Sequence, residues 1–389
     1  MGLSCLDLDL FVRVYLKVQC RYKALVILNL NHYHLRRDKM VIKKKLRFPI
    51  LITILTVMLL VVSACSSNET DSSAVSENGN ASDAEFVLRL AHVLAEDTPF
   101  HIAAMEFKEE VEEKSDGRIE VEVFPNGQLF ASERETIEAI QLGNVEMSQV
   151  ATAVMSSFQP EFSIFNLPFL FESREHVYAA MDGELGDTLN EFLPDLDLVG
   201  LGYGENGFRH FINNKRPIET PEDISGLTIR VIENKMYEDL FNSLGANASP
   251  LGFGETYTAL QQGVYDGLDS EITVAATAKF DEVLDYLTLS EHTFTATVSI
   301  VNQDYYESLP EDLQNVVSEA AVNMNKYQRE LNVEQEDDRL KDLEQGMEVN
   351  ELTADQKEEF QKALQPVFDE HASQVGEDLI ELARDHNEN

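Results

Sequence analysis

The chain has 389 residues, a length that suggests about two domains, and 43% of them are hydrophobic, enough to form buried cores. Its formal net charge is −40. Residues 1–64 hold 11 of the 30 basic and 3 of the 70 acidic residues, which leaves a net charge of −48 on residues 65–389. Because such an acidic surface repels nucleic acid and anionic lipid, neither is an expected partner.

The front of the chain has the pattern of a secretory signal. Residues 40–65, MVIKKKLRFPILITILTVMLLVVSAC, run from a cationic start through an apolar stretch, short for a membrane span, to small residues before Cys65. The ending VSAC resembles the lipobox of bacterial lipoproteins. It predicts a signal peptide over 40–64 and lipid attachment at Cys65, and the alternative is an uncleaved anchor helix.

Two segments flank this signal. Residues 1–39 precede a complete signal with its own Met40, and we interpret them as a misassigned start of the chain. Residues 65–85 are polar and of low complexity, and they are predicted to form a flexible tether. No cysteine follows Cys65, which excludes disulfides, thiolate metal sites and cysteine catalysis in the folded part.

After the tether, strand and helix patterns alternate. The predicted elements are a strand over 86–93, a helix over 99–117, a strand over 118–124, a helix that Ser132 opens and Gly143 ends, and a strand over 145–153. Ser132 and Glu135 have the spacing of a capping box. This alternation predicts an α/β fold with a largely parallel sheet.

The glycines at 202–207 match G-x-G-x-x-G, but a strand pattern, FRHFI, follows them. A dinucleotide site needs a helix at that point, so we interpret the glycines as a flexible crossing between domains.

The second half of the chain repeats the alternation. Thr220 and Pro221 are predicted to begin a helical turn, which a strand containing Arg230 follows. A helix that ends at Gly245, a further helix and a strand over 265–271 come next. In the strand, Ile232 lies on the same face as Arg230, so this face is not simply a wet surface.

The last part of the chain is predicted to be mainly helical. Residues 310–346 form a long, highly charged helical stretch with few breakers, long enough to reach across two domains. The remainder is predicted to consist of short helices and a soluble tail.

No pattern of catalytic or metal-binding residues stands out. The nine histidines are scattered without the i, i+4 spacing of helical metal ligands, and nucleotide-binding and nucleophile motifs are absent. We therefore predict neither an enzyme nor a bound metal or cofactor.

Several motifs in order resemble one known family from about Val87 to the C-terminal region. They are LRLAHVLAEDTPFH, GRIEVEVFPNGQL, ERETIEAIQLGNVEM, FNLPFLF, the segment from GFRHFINN to DGLDSE, and LPEDLQNVV. The chain resembles the substrate-binding proteins of tripartite ATP-independent periplasmic (TRAP) transporters, the DctP family. The resemblance implies a two-lobed, type II-like periplasmic-binding-protein fold with crossover strands and a long helix bridging the lobes.

The resemblance also implies the boundaries of the lobes and a role. Lobe I is expected to contain 86–207 and about 296–335, and lobe II 208–295 and about 336–389. Such proteins work outside the cytoplasm, here on a lipid anchor, and deliver an organic acid to a small and a large membrane subunit coupled to sodium. A C4-dicarboxylate, a 2-oxo or hydroxy acid and a sugar acid remain open as ligands, and a sensory module that presents its ligand to a receptor is the alternative function.

Arg230 occupies the position of the family's signature arginine, in GLTIRV. The resemblance implies that its guanidinium binds the ligand's carboxylate, since a planar fork of donors matches the two oxygens. From the residues alone, a structural ion pair is the alternative.

Further ligand contacts are implied by motif at Arg209, Glu233, Asn234, Phe253, Asp269, Ser270, His92 and Thr152. Asp269 and Ser270 occupy the place of a Glu-Asn pair in relatives, and Ser270 is shorter than that asparagine. His92 and Thr152 are expected at strand ends that face the cleft from the first lobe.

Four of these positions have a second interpretation. Arg209 also suits a hinge ion pair, and Phe253 also suits core packing. Glu233 or Asn234 could instead cap a helix.

Overall fold

The computed structural model describes residues 84–385, so the predicted extension, signal peptide, Cys65 and all but the last residues of the predicted tether lie outside the described part. The described strands are β1 (Phe86–Ala91), β2 (Ile119–Phe124), β3 (Met147–Ala151), β4 (Leu198–Asn213), β5 (Thr228–Val231), β6 (Asn247–Pro250), β7 (Gly267–Glu271), β8 (Tyr286–Leu289), β9 (Phe294–Asn302) and β10 (Glu348–Glu351).

The helices pack around these strands. In the same part of the chain they are α1 (Pro99–Lys114), α2 (Glu133–Gln141), α3 (Thr152–Met155), α4 (Arg174–Met181), α5 (Glu184–Asn190), α6 (Lys235–Ser243), α7 (Phe253–Gln261), α8 (Ile272–Thr277), α9 (Gln303–Ser308), α10 (Glu311–Leu343), α11 (Ala354–Val375) and α12 (Glu377–Asp385). Short 3₁₀ turns lie at Pro160–Asn166, Leu193–Leu196, Pro221–Ile224 and Phe280–Glu282. No helix within residues 84–385 is both long enough and apolar enough to cross a membrane.

The strands form one mixed sheet in the order β2-β1-β3-β9-β4-β7-β5-β6, with β8 paired to β4 and β10 paired to β8. Pairs toward the two edges are parallel, as the alternating pattern predicts. The central pairs that involve β4 and β9 are antiparallel. The expected parallel character therefore holds for each half of the sheet but not for the centre, where the chain crosses between the halves.

Strand β4 belongs to both halves of the sheet. Its residues 198–208 pair with β9, and its residues 209–213 pair with β7. The register shifts twice, and Gly202 and Gly207 lie at these irregularities with φ of +102° and +109°, a backbone region that suits glycine. The glycine motif thus lies inside a crossing strand rather than between a strand and a helix.

Helix α10 is the 33-residue helix that the sequence predicts, and it packs on α1, β4 and α8. A buried ion network joins it to the crossing strand. Glu205 in β4 accepts from Arg174 Nε at 3.0 Å, while Arg174 Nη1 donates to Glu336 in α10 at 2.9 Å. Both β4 and α10 therefore connect the halves of a two-lobed α/β fold.

The C-terminal region differs from the predicted short helices and soluble tail. Helix α11 has 22 residues, and α12 buries Leu379, Ile380 and Ala383. These helices pack on the segment 160–190 as well as on α6, so their hydrophobic faces complete a core that local pattern alone does not reveal.

Candidate functional site

A cavity lies where the carboxyl ends of β1, β3, β5 and β7 meet the crossing strands β4 and β9. It leaves about 500 Å³ free of protein atoms, a figure that includes its opening to solvent. Its polar lining consists of Glu133, Asn206, Arg209, Arg230, Glu233, Ser270, Glu271 and Thr295, and its apolar lining of Val93, Leu94, Ala151, Val154, Ile232, Phe253 and Val274. Ligands of open α/β sheets commonly bind at such strand ends.

Arg230 enters this cavity from β5. Neighbouring Ile229 and Val231 point into the hydrophobic core, so strand alternation directs Arg230 and Ile232 to the cavity. The Arg230 side chain is only 4% exposed, and its Nε and Nη2 donate to the Leu251 carbonyl at 3.0 and 2.6 Å. Within residues 84–385 it forms no ion pair, and Nη1 has no hydrogen-bond partner.

Burial and the surrounding charges determine the pKa of Arg230, which Asp269, Glu271 and Glu233 raise without forming an ion pair with it. Burial, and next the positive charge of Arg209, lower the pKa of Arg230 to about 10. The group still carries its proton at neutral pH. A buried, protonated guanidinium without a carboxylate partner is costly unless an anion binds it, so this side chain is suited to receive one.

Arg209 differs from Arg230 because acidic side chains already neutralise it. It lies in β4, where Nε donates to Asp269 Oδ2 and Nη1 donates to Glu271 Oε1, each at 2.5 Å. Its guanidinium also lies 5.1 Å from the centre of the Tyr237 ring. Arg209 therefore forms an ion pair across β4 and β7 and also lines the cavity, and its contact with a ligand stays a prediction.

Asp269 forms an ion pair with Arg209 and does not itself line the cavity. Burial raises the pKa of Asp269, but the Arg209 charge and the His292 imidazole, with Nε2 3.4 Å from Asp269 Oδ2, outweigh burial and hold the pKa well below its usual range. The carboxylate is thus ionised and holds Arg209 in place.

Glu133 is a cavity residue that the sequence analysis missed. It is the first residue of α2, and its Oε1 accepts from the Ala151 N–H at 3.2 Å. Burial raises the pKa of Glu133 to about 7; the Ala151 hydrogen bond lowers it, while Glu271 raises it further. The only sequence signal is an acidic residue at a helix start, which normally indicates capping or a helix-dipole effect.

Three other predicted residues also line the cavity. Glu233 follows β5, Ser270 lies in β7, and Phe253 begins α7. Phe253 also packs against Phe280, with ring centres 6.4 Å apart, which agrees with the core-packing interpretation, while its contact with a ligand stays a prediction.

Asn234, His92 and Thr152 lie outside the lining. Asn234 caps α6, accepting from the Met236 N–H at 2.7 Å, which matches the helix-cap alternative. Thr152 begins α3, and its hydroxyl donates to the Ala296 carbonyl at 3.1 Å. His92 Nε2 lies 3.1 Å from a His101 nitrogen, and burial lowers the pKa of His92 to about 3.

The two-lobed α/β fold places a buried guanidinium, without an ion-pair partner among residues 84–385, in a cavity between the lobes, an arrangement that suits the binding of a small anionic solute. The sequence model of one family, "Bacterial extracellular solute-binding protein, family 7" (DctP), matches residues 90–374. The chain therefore belongs to the DctP family, as the resemblance indicated.

Curated and solved relatives agree with this assignment. The chain is 31% identical over 298 residues to the C4-dicarboxylate-binding protein DctB of Bacillus subtilis, covering 76% of this chain and 85% of DctB. A TRAP solute-binding protein of Sulfurospirillum deleyianum with bound succinate has a TM-score of 0.74 and 34% identity, covering 77% of this chain and 99% of that one. The sugar acid binding protein DctPAm of Advenella mimigardefordensis, in complex with galactonate, has a TM-score of 0.75 and 34% identity, with coverages of 77% and 97%.

The family and these relatives are substrate-binding transport proteins rather than enzymes. Among residues 84–385, no group of three or more histidine, cysteine or acidic side chains could hold a metal ion.

Proposed function

We propose that this protein binds an organic acid outside the cytoplasm and delivers it to the membrane subunits of a TRAP transporter. The observation that carries the proposal is the Arg230 guanidinium, which is buried in the cavity, protonated and without an ion-pair partner in the part of the chain that the structure describes. Relatives with bound succinate and galactonate support a carboxylate as its partner.

Arg230 has the geometry to hold a carboxylate. The Leu251 carbonyl accepts from Nε and Nη2 and holds the plane of the guanidinium, while Nη1 remains available as a donor. A lysine would keep the charge but lose the planar set of donors. Because the Arg230 side chain is buried, its electrostatic attraction for a ligand carboxylate is stronger than at the surface.

The experiment begins with a thermal-shift screen of purified 66–389 against carboxylic acids, followed by calorimetry on the best ligand. We expect Arg230→Ala and Arg230→Lys to weaken binding by roughly thirty-fold to several thousand-fold, the equivalent of about 2–5 kcal/mol. The control is Arg118→Lys, at a partly exposed arginine that pairs with Glu85 and Asp312 outside the lining. Near-normal affinity of Arg230→Lys, with a lowered melting temperature of Arg230→Ala, would contradict the proposal and indicate a structural arginine.

We further propose that Cys65 carries a lipid anchor and that delivery is coupled to sodium. We expect Cys65→Ala to release the protein from membranes into the medium or periplasm, as fractionation and mass spectrometry of the mature N-terminus would show. Vesicles containing the small and large subunits of the transporter are expected to take up the ligand only with this protein and a sodium gradient. Ligand binding without any uptake would favour the sensory alternative.

A further inference from the structure

The cavity contains more carboxylates than available cations. Glu133, Glu233 and Glu271 line it together with Arg209 and Arg230. Arg209 is already paired with Glu271 and with Asp269 behind the lining. Within the lining that the structure describes, Arg230 is therefore the cation left to balance a charge on the ligand.

Two of the three cavity carboxylates retain free acceptor oxygens. Glu133 Oε1 accepts from the Ala151 N–H at 3.2 Å, and its Oε2 has no hydrogen-bond partner among residues 84–385. The Glu233 carboxylate likewise has no hydrogen-bond partner in that range, although the Glu233 backbone carbonyl accepts from Ser157. By contrast, both Glu271 oxygens accept, from Arg209 and Ser270.

We propose that the ligand is a hydroxylated monocarboxylate such as an aldonate. Its carboxylate binds Arg230, its hydroxyls donate to Glu133 and Glu233, and Glu133 disfavours a dicarboxylate. This inference rests on the proposed function, because it assumes that Arg230 receives a carboxylate. It separates the chain from relatives named for C4-dicarboxylates and groups it with the galactonate-binding relative.

The physical reason is the cost of placing like charges together in a cavity. Once one carboxylate occupies Arg230, a second would have no free cation and would meet Glu133 or Glu233, and contact with either of them in its ionised form is strongly unfavourable. A hydroxyl donates to either carboxylate and satisfies its free oxygen. Sites built for a ligand hydroxyl reject analogues that lack it, since buried polar groups are then left unpaired.

The raised pKa of Glu133 agrees with an uncharged ligand group, such as a hydroxyl, as its partner. Burial is the main cause that raises the pKa of Glu133 to about 7. The charged groups that act on it are Glu271, which raises the pKa, Arg230, which lowers it, and Glu233, which raises it. A hydroxyl can bond to either protonation state of Glu133, whereas a second ligand carboxylate suits only the protonated form.

The test compares D-galactonate, succinate and 6-aminohexanoate by calorimetry at pH 8. We expect the wild-type protein to bind galactonate at least about tenfold more tightly than succinate. Glu133→Gln is expected to weaken galactonate about tenfold and to strengthen succinate, because the glutamine keeps the shape of the side chain and removes its charge. Glu138→Gln is the matched control, since Glu138 is an exposed residue of the same helix, and it should leave both affinities unchanged.

The outcomes separate this inference from the proposed function. Tighter binding of succinate than galactonate by wild type, with binding lost in Arg230→Lys, overturns the hydroxylated monocarboxylate and leaves the proposed function intact. Tighter binding of 6-aminohexanoate than galactonate also overturns it, because the ammonium group of that ligand would then bind Glu133 and Glu233. If a folded Glu133→Gln variant keeps the wild-type preference between galactonate and succinate, Glu133 does not determine that preference. Failure of every carboxylate to bind wild type contradicts the proposed function itself.

Discussion

Two arginines of the same cavity have opposite charge environments. Arg209 contacts Asp269 and Glu271 across neighbouring strands, so its charge is used within the protein. Among residues 84–385, Arg230 donates only to a backbone carbonyl, so its charge is available to the anion that we propose as its ligand. Residue type and burial are alike at the two positions, and their environments differ because carboxylates of β7 lie within ion-pair distance of Arg209 and not of Arg230.

At the same scale, Glu133 makes the stability of the ligand-free protein depend on pH. Its pKa rises from 4.5 to about 7 on folding, mainly through burial, so the folded state binds the proton more tightly than the unfolded chain. The contribution of Glu133 to stability is therefore complete below pH 4.5 and is lost as the pH rises through 7. Glu133→Gln is expected to melt above wild type at pH 8 and together with it at pH 4.5.

Differential scanning fluorimetry across this pH range would measure the difference. Glu138→Gln, on the exposed face of α2, is expected to follow the wild-type profile at every pH. A Glu133→Gln variant that melts below wild type at pH 8 would show that Glu133 is stabilised as a carboxylate, contrary to the prediction.

Two independent features of the sequence, the strand alternation and the family motif, indicated that Arg230 is a candidate site residue. The sequence could not identify Glu133, because the proximity of Glu133 to Arg230 depends on a sheet order in which neighbouring strands are not consecutive. For Asn234 the sequence offered two roles, and the structure shows the cap. Local pattern thus predicts which face a side chain occupies, whereas long-range pairing decides which side chains share a cavity.

At the scale of elements, the crossing strand β4 determines how the halves of the sheet are held. Long helix α10 was predictable because its pattern continues without breakers. Strand β6 was missed because it is mostly exposed and lacks hydrophobic alternation, and the C-terminal helices were underestimated because distant segments supply their partners. Strong local periodicity was therefore sufficient for the elements that have it, whereas no strand was predicted at β8, β9 or β10, whose partner strands are distant in the chain.

Gly207 in β4 is expected to tolerate no side chain. Its φ is +109°, and an added Cβ would lie 3.0 Å from Arg174 Nη2. Arg174 cannot readily move, since it pairs with Glu205 and Glu336. We expect Gly207→Ala to lower the free energy of unfolding by about 1–3 kcal/mol, measured by urea denaturation.

Gly376→Ala is the matched control for this prediction. Gly376 has a similar positive φ, +103°, but no atom lies within 4 Å of its added Cβ, so it isolates the backbone cost. Equal losses in both variants would show that the ion network beside Gly207 contributes nothing.

At the scale of the whole molecule, acidity dominates the surface. Residues 65–389 carry a net charge of −48, and repulsion within a compact body of this charge opposes folding. Salt screens such repulsion, with a screening length of about 10 Å at 0.1 M and about 3 Å at 1 M.

We therefore expect the melting temperature of ligand-free 66–389 to rise between low and molar NaCl. Calorimetric scans in NaCl and in KCl would separate screening from a specific effect of sodium, since screening predicts the same rise in both. A flat or falling melting temperature would contradict a fold limited by its own charge.

The position of β9 between β3 and β4 has a consequence for the order in which the protein folds. The half of the sheet that contains β1, β2 and β3 lacks its neighbouring strand β9 until residue 302 has been synthesised, and α10 is synthesised only after that. Contacts between such distant parts of the chain slow folding, because a long loop must close before any pairing compensates for it. A growing chain therefore cannot complete this half of the sheet until most of its residues have been synthesised.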